Sequence, residues 1–74
     1  MNKIIKRYKI RKGIEVVIEE VYSSKFDRND FYVYGRQKIF FWWENITEKE
    51  KEYYEEDAIS TAKQIKQKLL RLVK

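Results

Sequence analysis

The stretch Phe31 to Trp43, FYVYGRQKIFFWW, holds seven of the chain's twelve aromatic residues, with one glycine among them. In an extended strand, period-two geometry lines Ile39, Phe41 and Trp43 on one face and Lys38, Phe40 and Trp42 on the other. A strand with one face in water alternates apolar and polar residues, and this one is apolar on both. It is therefore either sandwiched between two layers or offers aromatics as a contact surface.

The rest of the fold must be built around that stretch within 74 residues, which make one domain near the size at which a single core is only just sufficient. Without cysteine, neither disulfides nor thiolate metal sites reinforce it, so the 43% hydrophobic content has to supply the stability. No apolar run approaches the roughly 20 residues of a membrane span. The N-terminal MNKIIKRYKI lacks the apolar block of a signal peptide. The expected setting is cytoplasmic, with no membrane partner.

The net charge of +5 is unevenly placed. Residues 1–43 carry ten Lys/Arg against five Asp/Glu, whereas residues 44–74 carry seven of each. The excess sits on the part expected to be sheet, which favours a polyanion as partner.

Along the chain, Ile4, Lys6, Tyr8 and Ile10 alternate with Ile5, Arg7, Lys9 and Arg11, and the second set forms a basic stripe. After Arg11-Lys12-Gly13 comes IEVVIEEVY, rich in β-branched residues. A two-residue Lys12-Gly13 loop would place Ile10 opposite Glu15. A three-residue loop with Gly13 in the left-handed conformation places Ile10 opposite Ile14, Tyr8 opposite Val16 and Lys9 opposite Glu15, and is preferred because a buried face fixes register. Cross-strand Glu15 and Glu19 then neutralise part of the stripe. Residues 23–30, SSKFDRND, read as a loop. Phe26 either tucks under the sheet or stands out as an anchor, and the burial preference of phenylalanine favours tucking.

Gly35 is expected to break the aromatic stretch. A turn at Gly35-Arg36 or Gly35-Arg36-Gln37 would make a second hairpin from 31–34 and 38–43, leaving Tyr32, Tyr34, Phe40 and Trp42 together on one face in the longer version. A continuous strand with a bulge at Gly35 competes with it. Thr47-Glu48-Lys49-Glu50 fits a capping box, so a helix could run from about 48 to 73. A second reading starts it at Asp57, where Ala58, Ala62, Ile65, Leu69 and Leu72 recur at helical spacing, with Ile59, Leu70 and Val73 on the spare side.

The expected architecture is α+β: a three- to four-stranded antiparallel sheet of two hairpins over about 3–43, an acidic connector or helix start over 44–56, and one amphipathic helix over about 57–73 packed on one face. The order of elements and the ending YYEEDAISTAKQIKQKLL resemble the three-strand-plus-helix DNA-binding domain that opens many phage-type integrases. Only Glu56, Asp57 and Ala58 carry that resemblance. It is an analogy of fold and implies no function.

There is no histidine, the commonest general base and metal ligand near neutral pH, and no cysteine. The two glycines form no phosphate-binding loop. The residues thus point away from an enzyme and to no metal or cofactor. Asn45-Ile46-Thr47 matches a glycosylation sequon, which has no meaning in the expected compartment. The candidate site is the aromatic and basic sheet face: Tyr32, Tyr34, Phe40 and Trp42 to stack on bases, with Arg7, Lys9, Arg11, Arg36 and Lys38 to hold the phosphates of DNA or RNA. The alternative is a protein-binding module or small inhibitor of the phage or mobile-element type. Its aromatic patch would fill a partner's groove or pair two copies as a homodimer, and its acidic segment 48–57 would steer docking.

Overall fold

The computed structural model describes residues 2–72. Strands β1 (Asn2–Arg11), β2 (Ile14–Ser23), β3 (Arg28–Ile39), β4 (Trp42–Asn45) and β5 (Glu50–Glu52) precede one helix, α1 (Glu55–Leu72). The strands form a single antiparallel sheet in the order β1-β2-β3-β4. β5 pairs with β3 beyond β4, so β4 and β5 together make one interrupted edge strand. The α+β class, the antiparallel sheet and the C-terminal helix on one of its faces are as the sequence predicts.

The β1–β2 hairpin keeps the expected Lys9↔Glu15 and Tyr8↔Val16 pairs, and Gly13 has φ +82°. Its closure differs from the expected three-residue loop. Arg11, rather than Ile10, lies opposite Ile14, and a register shift between Lys9 and Arg11 leaves Ile10 as an extra residue. A second shift falls between Ile4 and Lys6. These bulges change the alternation of β1, so that Ile5, Tyr8 and Ile10 all pack against the core although their sequence parity differs.

The larger departure concerns Gly35. β3 runs through it without a break, paired to β2 in unbroken register from Ile14↔Gln37 to Ser23↔Arg28, so there is neither a turn nor a bulge there. Val16, Ile18, Phe31 and Val33 share the buried face, and a slip by one residue would turn all of them outward. The turn therefore falls beyond the start of β2, at Phe40-Phe41. What Gly35 supplies is room. A Cβ there would lie 2.7 Å from Leu69 Cδ1 and 3.2 Å from Thr47 Cγ2, so the glycine is the seat on which the helix rests.

Thr47 begins no helix. Its Oγ1 accepts the Gly35 N–H at 2.8 Å, while the Ile46 N–H donates to the Gly35 carbonyl at 2.9 Å. The threonine side chain thus takes the place of a backbone partner where the edge strand leaves β3. Helix α1 starts two residues before Asp57, with Glu55, Glu56 and Asp57 in its first turn, where the helix dipole favours negative charge. Ala58, Ala62 and Leu69 are buried and Ile65 packs against them. Ile59, expected on the spare side, also packs on the core, whereas Leu70 and Leu72 are exposed. Val73 lies outside the described residues.

The segment 23–30 is a loop only over 24–27. Phe26 does not tuck under the sheet. It stands out between Lys25 and Arg28, whose charged groups lie 5.5 and 5.3 Å from the ring centroid.

Candidate functional site

The sheet face away from the helix is set by the register. Lys9, Glu15, Arg36 and Asn45 form one rung across four strands. Arg7, Val17 and Tyr34 form the next, followed by Ile4, Glu19, Tyr32 and Lys51. Lys38 pairs with Trp43 at the far end of β3. Of the nine residues predicted for the site, Arg7, Lys9, Tyr32, Tyr34, Arg36 and Lys38 are brought together here.

The other three are not. Arg11 is carried by the Ile10 bulge to a position opposite Ile14, on the helix-side rung. Trp42 pairs with Ile39 on that same side. Moving the turn from Gly35 to Phe40-Phe41 reverses the parity of everything after it, so Trp43 takes the place expected for Trp42. Phe40 sits in the turn itself.

The face is more closely knit than a bare stacking platform. Tyr34 is only 6% exposed, and the Lys49 ammonium lies 4.8 Å from its ring centroid. Burial, and next the negative charge of Glu19, raise the Tyr34 pKa above its ordinary value. The Arg36 guanidinium lies 4.2 Å from the Trp43 ring centroid and donates from both Nε (2.9 Å) and Nη2 (2.7 Å) to Glu15 Oε2. Planar guanidinium suits both contacts at once.

Every carboxylate on this face is engaged. Glu15 is held by Arg36 and Glu19 by Lys49 at 3.5 Å. The buried Asp30 has Arg28 at 3.4 Å and Lys51 at 3.6 Å. Glu15 was expected to neutralise the β1 stripe across the hairpin, but it turns instead to β3. Among the described residues, Arg7, Lys9 and Lys38 form no ion pair. The uncovered face thus retains positive charge that its own acids do not cancel.

Reading the sequence missed Lys49, Lys51 and Trp43. A signal for the lysines was present: Glu48-Lys49-Glu50-Lys51-Glu52 alternates acid and base with period two, the pattern of a strand with two differently charged faces. The structure puts Lys51 on the face with Tyr32, and Glu50 and Glu52 on the helix side, where Glu52 accepts a hydrogen bond from the Thr61 hydroxyl at 2.6 Å.

Beyond the face lies a second aromatic feature, the two-residue turn joining β3 to β4. Phe40 is 82% and Phe41 96% exposed, and Trp42 beside them is also exposed. The Phe40 and Trp42 rings lie 6.2 Å apart at 46°. Phe40 has φ +55°, in the left-handed region that costs an L-residue with a Cβ roughly 1–2 kcal/mol and that glycine enters freely.

Among the described residues, no group of three or more His, Cys, Asp or Glu is placed to hold a metal ion, and no helix is long and apolar enough to cross a membrane. No protein-family model matches the chain, and comparison with curated proteins and with solved structures found no match either.

Proposed function

We propose that this chain is a nonenzymatic module that binds DNA or RNA along the uncovered face of its sheet. One observation carries the reading: Arg7, Lys9 and Lys38 stand on that face without ion-pair partners among the described residues, while Glu15, Glu19 and Asp30 are already engaged. Cations arranged in this way meet a phosphate backbone without first giving up a carboxylate. Strands lie about 4.8 Å apart, so Lys38 on β3 stands roughly 10 Å across the sheet from the line of Arg7 and Lys9 on β1. Trp43, with Arg36 on its ring, replaces Trp42 as the tryptophan of this surface.

Binding of this kind releases counterions and weakens as salt rises. Three phosphate contacts give a slope of about −2 in log K against log salt on a single strand. The double substitution Arg7→Glu with Lys9→Glu tests the reading, because both residues are exposed and neither belongs to the core cluster. The variant should lose binding to oligonucleotides at low salt while keeping the wild-type circular dichroism spectrum. Binding that survives with the same salt slope would contradict the polyanion reading.

The exposed Phe40, Phe41 and Trp42 favour the second reading, a protein-binding module or a homodimer joined through those rings. In that case light scattering would report a dimer, or a protein partner would protect the turn, and the Arg7/Lys9 variant would bind as the wild type does.

A further inference from the structure

We infer that the β3–β4 turn is a base-stacking tip that makes the module prefer nucleic acid with unpaired bases over intact duplex. This rests on the nucleic-acid reading above and adds what that face alone does not supply, a means of telling one nucleic acid from another.

Three observations meet at this turn. The first is position. β2 begins opposite Gln37, and the Lys38 N–H donates to the Gly13 carbonyl at 2.8 Å, so Ile39 to Trp42 project past that end of the neighbouring strand. Rings held there reach beyond the rim of the sheet, where a base can approach from the side.

The second is surrounding charge. The Lys12-Gly13 turn lies at this same end of the sheet, and Lys12 and Lys38 flank the tip from that turn and from β3. Lys38 is also the rung partner of Trp43, which makes the tip continuous with the cationic face. An apolar groove on a neutral partner would find these cations unhelpful, whereas a nucleic acid supplies phosphates for them and flat bases for the rings.

The third is strain. Phe40 holds φ +55° in a two-residue turn where glycine or asparagine would sit without cost, and its ring is turned to solvent rather than into the core. Strained backbone that buries nothing points to a use for the side chain outside the fold. Rings that must slip between or against bases need to be bare. The face rings Tyr34 and Trp43 instead carry Lys49 and Arg36.

The test compares wild type with a Phe40→Gly, Phe41→Ser variant. The glycine keeps the turn's backbone, and neither ring packs in the core. Fluorescence anisotropy would measure binding to a single-stranded oligonucleotide and to a blunt duplex of the same sequence at low salt, with a fluorescent base analogue in the single strand to report stacking. Wild type is expected to bind the single strand more tightly. The variant should bind the duplex as wild type does, lose roughly tenfold or more on the single strand, keep its salt slope and leave the base analogue unperturbed. A variant that binds the single strand as tightly as wild type would overturn the tip and leave the basic face standing. Wild type that binds neither oligonucleotide would overturn the underlying reading and the tip with it. Equal wild-type affinity for strand and duplex, with ring-dependent binding to phosphatidylserine vesicles, would overturn the tip by assigning it to a membrane surface.

Discussion

Two sets of rings come from one aromatic run and have opposite surroundings. Tyr34 is buried on the open sheet face beneath Lys49, and Trp43 lies against Arg36. Phe40 and Phe41, a few residues away, are almost wholly exposed on a strained turn. The difference teaches that an aromatic residue on an uncovered sheet face is not thereby free. Cationic side chains, Lys49 from the segment between β4 and β5 and Arg36 from β3, place their charged groups over these rings. Where the chain leaves its neighbours, no such cover exists.

On this comparison the buried Tyr34 matters for stability and the tip rings matter little. Tyr34→Ala should destabilise the domain by about 3 kcal/mol in urea unfolding, and Phe41→Ala should fall within about 0.5 kcal/mol of wild type. Equal losses for the two variants would erase the distinction. A smaller effect of opposite sign is expected at the turn. Phe40→Gly should stabilise the domain by about 1 kcal/mol through release of left-handed strain, offset in part by the greater freedom of glycine in the unfolded chain. A loss of stability there would mean that the exposed ring contributes to folding after all.

The smallest effect concerns ionisation. Burial first, and the Glu19 charge second, raise the Tyr34 pKa above the unfolded value of about 10. A group with a raised folded pKa contributes stability that is fully present below the unfolded pKa and is lost as pH rises through the folded one. Unfolding free energy should therefore fall above pH about 10, and Tyr34→Phe should flatten that fall. Near-ultraviolet absorbance would follow the tyrosinate in parallel.

How far the sequence could be read depended on whether local chemistry and long-range register agreed. They agreed in the first hairpin, where Gly13, the Lys9↔Glu15 pair and the Tyr8↔Val16 pair were legible. They also agreed in the helix, where Ala58, Ala62 and Leu69 recur at helical spacing and are buried. They disagreed in the aromatic run. Gly35 looks like a turn residue and Phe40-Phe41 does not, yet pairing with a long β2 carries β3 through the glycine and leaves the phenylalanines to turn. That one displacement exchanged Trp42 for Trp43 on the site face. Thr47 was misread for a similar reason: its side chain serves Gly35, twelve residues away in sequence, rather than the start of a helix. The cover of Tyr34 by Lys49 is another distant pairing that no local pattern announces. The alternating EKEKE segment could have revealed β5 and with it Lys51.

The proposed hold of the open-face cations on a polyanion is tested most directly by intrinsic tryptophan fluorescence. Trp43 lies on that face under Arg36, and Trp42 stands beside the tip, so both tryptophans report on it. Titration of the wild-type chain with a short single-stranded oligonucleotide should quench this fluorescence at low salt, with an affinity that falls as salt is raised. Unchanged fluorescence at the lowest salt, or quenching that salt leaves untouched, would contradict the account.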